Sequence, residues 1–117
     1  MNRELTSAER DVCAAMITSA HDDEYSISTE DRARWLRLIP ETSVRGVCGC
    51  GTCPSIDLAY QGQPVEGGSR IVLQAETTSG NALVMLFIDG DLLSYLEVAP
   101  VNDETVPLPN TDDLRFP

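Results

Sequence analysis

The sequence contains no lysine, a single histidine and a single tryptophan, and aromatic residues make up only 5% of it. Without lysine there is no ε-amine for a Schiff base. The glycines of Gly67-Gly68-Ser69 likewise lack the lysine of a phosphate loop and are too short to form one. With His21 as the one histidine, a Ser-His-Asp arrangement could be assembled only on paper. No G-x-S-x-G elbow exposes a serine nucleophile for it to activate. Long apolar runs are missing too. No window approaches the ~18 apolar residues needed to span a bilayer. The opening Met1-Asn2-Arg3-Glu4-Leu5-Thr6 has no apolar centre of a secretion signal. A cytoplasmic protein with reduced cysteines is the expectation.

Positive charge is the scarcest resource. Eight arginines face 19 acidic residues, for a net charge of −11, and beyond Arg45 only Arg70 and Arg115 are basic. Such a field repels phosphate backbones and anionic lipid, so the expectation is no nucleic-acid and no membrane partner. Arg32, Arg34 and Arg37 form the one basic cluster and read as a solvated helix face. The acidity suits solubility or association with a basic protein partner.

What remains is ordinary globular material. A chain of 117 residues, 42% of them hydrophobic, fits a single domain over residues 1–117 that needs no covalent staple for its core. The pattern divides it into a helical part over 1–43, an antiparallel sheet over 44–99 and an extended, proline-rich acidic tail over 100–117. The predicted fold class is therefore α+β, with two N-terminal helices packed on one face of a four- or five-stranded antiparallel sheet. The other face is left available for a partner.

Thr6-Ser7-Ala8-Glu9 fits a capping box, and Val12, Cys13, Met16, Ile17 and Ala20 follow at helical spacing. A second helix is predicted from near Ser28, with Asp31 three residues on, to about Leu38, where Pro40 stops it; Trp35, Leu36 and Ile39 would face the core. Strands are expected at 44–48 and 56–60. A third has Ile71, Leu73 and Ala75 on its buried face and Val72, Gln74 and Glu76 on the wetter one. Ala82 to Ile88 is continuously apolar, as a central strand covered on both faces would be. Asp89-Gly90 then reads as a type I′ turn leading into a returning strand over 92–98, where Glu97 is expected at a solvent-facing edge position. Val106 and Leu108 would dock the tail.

The unusual local feature is Cys48-Gly49-Cys50-Gly51-Thr52-Cys53-Pro54-Ser55, read as the turn joining two strands. Cys48 and Cys50 share one side of an extended segment, and a turn through Gly51-Thr52 could return Cys53 towards them. Three thiolates would suit zinc, with Cys13, His21 or Asp57 as the fourth ligand of a tetrahedral site. No other cofactor is implied. Cys50-Gly51-Thr52-Cys53 also has the C-x-x-C form of redox sites, but Ile56-Asp57-Leu58-Ala59-Tyr60 after it reads as strand where such sites have a helix. The plainest alternative is a glycine-rich turn with packed, reduced cysteines and no chemistry. The acidic groups Asp22-Asp23-Glu24, Asp103-Glu104 and Asp112-Asp113 lack calcium-loop spacing and read as solvated charge.

Leu5-Thr6-x-x-Glu9-Arg10, Cys48-Gly49-Cys50-Gly51 with Cys53-Pro54-Ser55-Ile56-Asp57-Leu58, and Leu86-Phe87-Ile88-Asp89-Gly90 with Leu93-Ser94-Tyr95-Leu96-Glu97-Val98 together resemble a family of small uncharacterised bacterial proteins, chiefly actinobacterial. The resemblance spans most of the chain and implies no activity, substrate or catalytic residue. Two function classes follow from the residues. One is a noncatalytic module that binds a protein partner through an acidic surface. The other is a cysteine-centred zinc-binding or thiol-redox protein using Cys48, Cys50 and Cys53.

Overall fold

The computed structural model describes residues 2–47, 53–102 and 104–117. Among the described residues two helices and eight strands follow one another as β1 (Arg3–Glu4), α1 (Ser7–Ser19), α2 (Thr29–Leu36), β2 (Thr42–Val47), β3 (Ile56–Tyr60), β4 (Gln63–Pro64), β5 (Arg70–Thr77), β6 (Ala82–Asp89), β7 (Leu92–Pro100) and β8 (Leu114–Arg115). The fold is α+β. All strand pairs are antiparallel, and the sheet runs β1-β2-β3-β7-β6-β5-β8, with β4 paired to β3.

The expected four or five strands are the long ones, and three two-residue pairings, β1, β4 and β8, bring the number to eight. Two residues carry no alternation, so no periodic signal announces them. Arg3 and Glu4 pair with Val44 and Ser43, which places a strand ahead of the first helix.

Both helices begin as their caps require. Thr6 accepts the backbone N–H of Glu9 at 3.1 Å, and the Glu9 carboxylate accepts from the Thr6 N–H at 2.8 Å. Arg3 donates both guanidinium nitrogens to Glu9, at 2.8 and 3.0 Å, and so ties β1 to the start of α1. Ser28 and Asp31 form the second capping box. The stripe of α1 behaves as its spacing demands: Val12, Cys13, Met16, Ile17 and Ala20 are all buried. In α2 Trp35 and Ile39, just beyond it, turn inward, but Leu36 does not; it is 37% exposed because α2 ends there and a 3-10 turn over Ile39–Glu41 redirects the chain.

The principal core lies between the helices and one face of the sheet. Leu73 and Ala75 from β5, Val84, Leu86 and Ile88 from β6, Leu93 and Leu96 from β7, and Ile56 and Leu58 from β3 meet the α1 stripe and Trp35 there. Past the reach of the helices, Ala82 and Val98 are covered by the tail through Val106 and Leu108, the docking expected of those residues.

Two sequence expectations fail in the β6–β7 hairpin. Its loop is Gly90-Asp91, one residue later than Asp89-Gly90: both carry positive φ, 54° and 71°, while Asp89 pairs with Leu92 as part of the ladder. The β6 strand is also not covered on both faces. Its even-numbered residues Ala82, Val84, Leu86 and Ile88 are buried, whereas Met85 and Phe87 are only half-buried and Leu83 is 44% exposed.

Candidate interaction face

Because side chains alternate across a strand, the residues between the core positions of β5, β6, β7 and β3 point away from the helices. Register assembles them into rows. Val72, Phe87, Tyr95 and Asp57 stand directly opposite one another across four strands. Gln74, Met85 and Glu97 form the next row, and Glu76, Leu83 and Ala99 the third. All are partly accessible, and Leu83 is exposed. Neither helix lies over them.

The aromatic row depends on a bulge. Ile88 pairs with Leu93 and Phe87 with Tyr95, so Ser94 is the extra residue in β7. Without it Phe87 would face Ser94 and the aromatic pair would not form. The two rings lie 5.9 Å apart, tilted by 50°, and the Arg70 guanidinium sits 4.9 Å from the Phe87 ring centre. Arg70 also grips Asp89 with two bonds, 2.7 and 2.9 Å, and the bulged Ser94 hydroxyl donates to the same carboxylate at 2.6 Å. Arg70 holds the Asp89 carboxyl below its usual range; burial opposes this and Ser94 adds to it.

A second bulge, between Val44 and Gly46, lets Arg45 reach Asp57 at 2.7 Å. Arg115 pairs with Glu76. The arginines bordering the face are thus each held by a carboxylate, whereas Glu97 makes no ion pair among the described residues. Glu97 is not at a sheet edge, as its sequence context suggests, because β7 lies between β3 and β6. At the β5 side the face is rimmed by Asp22, Asp23 and Glu24, which approach Arg70, Val72 and Gln74. Asp22 accepts the backbone N–H groups of Val72, Glu24 and Tyr25, at 2.7, 2.7 and 3.0 Å; against the effect of burial, these bonds hold its carboxyl low.

The flanks of the cysteine stretch are described, but Cys48 and Cys50 lie outside the described residues. Val47 and Ile56 are register partners, so the stretch does join two neighbouring antiparallel strands. Cys53 is half-buried, and its sulfur accepts the Ser55 N–H at 3.4 Å. Ser55 extends the β3–β7 seam by side chain: its buried hydroxyl accepts the Val98 N–H at 2.9 Å, just past the Ile56–Leu96 pair.

The residues considered as a fourth ligand occupy three different environments. Cys13 is wholly buried in the α1 stripe, where burial and then the Glu9 charge push its thiol up to about 12. Asp57 is engaged by Arg45 on the sheet face. His21 is exposed at the β5 edge, where its carbonyl accepts the Gln74 N–H, and its side chain lines a shallow pocket of about 150 Å³ with Asp23, Glu76, Leu83 and Pro117. Among the described residues no three His, Cys, Asp or Glu side chains are placed to hold a metal ion. Among the same residues no helix is long and apolar enough to cross a membrane.

The arginine cluster of α2 is structural in two of its three members. Arg32 donates to the Ile17 carbonyl at 2.8 Å, and Arg34 bridges Asp31 and Asp91. The partnership of Asp91 with α2 gives no sequence signal, since Arg34 and Asp91 lie far apart in the chain. Phe87 and Tyr95 were legible as strand residues; their pairing was not, because it needs both the true turn position and the Ser94 bulge. Comparison of the chain with protein-family models, curated proteins and solved structures gives no match.

Proposed function

We propose that this is a noncatalytic interaction module whose acidic surface binds a basic protein partner. The observation that carries the reading is the helix-free sheet face, where Val72, Met85, Phe87 and Tyr95 stand half-buried and Leu83 exposed among carboxylates. A buried catalytic pair would need a perturbed acid or base in a cleft. Asp89 and Asp91, carboxylates held below their usual range, are instead engaged by arginine in the β6–β7 hairpin. The net charge of −11 adds a field that would steer a basic protein and reject anionic ones. A cytoplasmic inhibitor that covers a basic effector has these properties.

The test begins with partners recovered from the native host and continues with the purified pair in a calorimeter. A 1:1 complex with a basic protein is expected, its affinity falling by about an order of magnitude between low and physiological-to-moderate salt as screening shortens the reach of the field. Binding indifferent to salt, or to an acidic partner, would overturn the proposal.

A further inference from the structure

We infer that the helix-free sheet face is the docking site, and that its occupant is a basic amphipathic helix of the partner protein. This rests on the interaction-module reading above and specifies where and how the partner binds.

The alternative mode for a sheet, addition of a partner strand, is poorly served here. The sheet ends in two-residue strands, β1 on one side and β8 on the other. The β5 margin is further occupied where the Gln74 N–H donates to the His21 carbonyl and the Val72 N–H to Asp22. Short and already satisfied edges leave few backbone groups for an incoming strand. The face is different. Three rows of side chains cross β5, β6 and β7, and the apolar members Val72, Phe87, Tyr95, Met85 and Leu83 form a band running over the strands.

The opposite side of the same sheet shows what such a band accepts. There the α1 stripe of Val12, Cys13, Met16 and Ile17 packs with Val84, Leu86 and Ile88 of β6. A second helix laid on the odd-numbered residues would bury Leu83, Met85 and Phe87 in the same way. Charge selects its polar side. Arg45, Arg70 and Arg115 are each held by a carboxylate, Glu97 beside Met85 makes no ion pair among the described residues, and Asp22, Asp23 and Glu24 line the rim. An arginine or lysine flanking the apolar stripe of the incoming helix would complete Glu97 and the rim. An acidic helix would meet like charge.

The test uses isotope-labelled full-length protein and a synthetic amphipathic peptide of about three helical turns, with leucines on one face and arginines on the other. A glutamate-for-arginine version serves as control. Amide shifts of Val72, Met85, Phe87 and Tyr95 are expected to move with the arginine peptide alone. Glu97→Arg and Leu83→Glu should each weaken binding by about tenfold. Leu83 is exposed, so its variant is expected to keep the native amide spectrum, which is recorded for both variants as the check on folding. If the arginine peptide binds but the shifts map to the 22–24 loop or the tail, and neither variant matters, the face assignment is overturned while the acidic-surface reading survives. If no basic peptide binds, both fall. If the glutamate peptide moves the same amides equally, the charge assignment is overturned.

Discussion

Cys13 and Cys53 show how little a residue type says about its chemistry. Cys13 sits at a core position of α1 with its side chain wholly buried, and desolvation pushes its thiol up to about 12. At pH 8 its thiolate is then about one part in ten thousand, and access is closed as well. Cys13 is therefore expected to remain unlabelled by iodoacetamide in the folded protein and to react promptly after denaturation; peptide mass mapping before and after guanidinium reads the difference. Labelling of Cys13 in the native state would show that the α1 stripe opens. Its reading in the sequence, as part of a helix stripe, survives in the structure because burial at helical spacing is a local property. The three-sulfur arrangement at Cys48, Cys50 and Cys53 is a matter of how a turn folds, and Cys48 and Cys50 fall outside the described residues.

At the scale of elements, the β6–β7 hairpin organises the molecule through one turn residue. Asp91 takes a positive φ of 71° that glycine would adopt more easily. In exchange its carboxylate accepts from the Trp35 indole at 2.8 Å and from two Arg34 nitrogens at 2.7 and 2.8 Å, pinning α2 onto the hairpin. Asp91→Ala loses those bonds and keeps the unfavourable backbone, so a destabilisation of about 1–3 kcal/mol is expected. Asp91→Gly loses the same bonds but relieves the backbone, and should cost roughly 1 kcal/mol less. Urea titration of the two variants measures both numbers; a glycine variant no more stable than the alanine one would mean that the turn carries no strain. The neighbouring Gly68 explains the tightness of this corner: a Cβ there would come within 2.7 Å of the Gly90 backbone. The sequence announced a turn at Asp89-Gly90 and missed its true place by one residue. Turn chemistry favours aspartate–glycine in that order, but Asp89 is held in the ladder by Arg70 and Ser94. One residue of slip changes which side chains share a face, so the Phe87–Tyr95 pair was hidden with it.

Over the whole molecule, acidity acts in two opposed ways. The net charge of −11 is self-repulsive, and moderate acidification relieves that repulsion. Against it stand Glu9, Asp22, Asp89 and Asp91, each of which titrates below its ordinary value in the fold. A group with a depressed folded pKa binds fewer protons folded than unfolded. Its stabilisation is complete above the ordinary carboxylate range near pH 4 and is lost as pH falls through the folded value. The Tm of Asp89→Asn is expected to lie below that of the parent at pH 7, and the gap to close as pH drops below about 4. Following the difference between the two proteins, and not the raw Tm, cancels the change in general repulsion. A gap that stayed constant through pH 3 would remove the Arg70–Asp89 pair from the stability of the fold.

The two capped helices, the buried stripe of α1, the long antiparallel strands and the acidic field are all legible in the chain alone. Each is written in short-range spacing or in a sum over residues, and neither needs knowledge of distant neighbours. That the helices cover β6 on one side emerges only when the segments are packed together. A run such as Ala82-Leu83-Val84-Met85-Leu86-Phe87-Ile88 is apolar on both faces, and nothing within it says that the helices suffice for only one of them. The strand order decided the rest, placing Glu97 inside the sheet instead of at its margin and setting Phe87, Tyr95 and Asp57 side by side. These are contacts between segments far apart in the chain, fixed by bulges and by which groups remain to be buried after the core has closed.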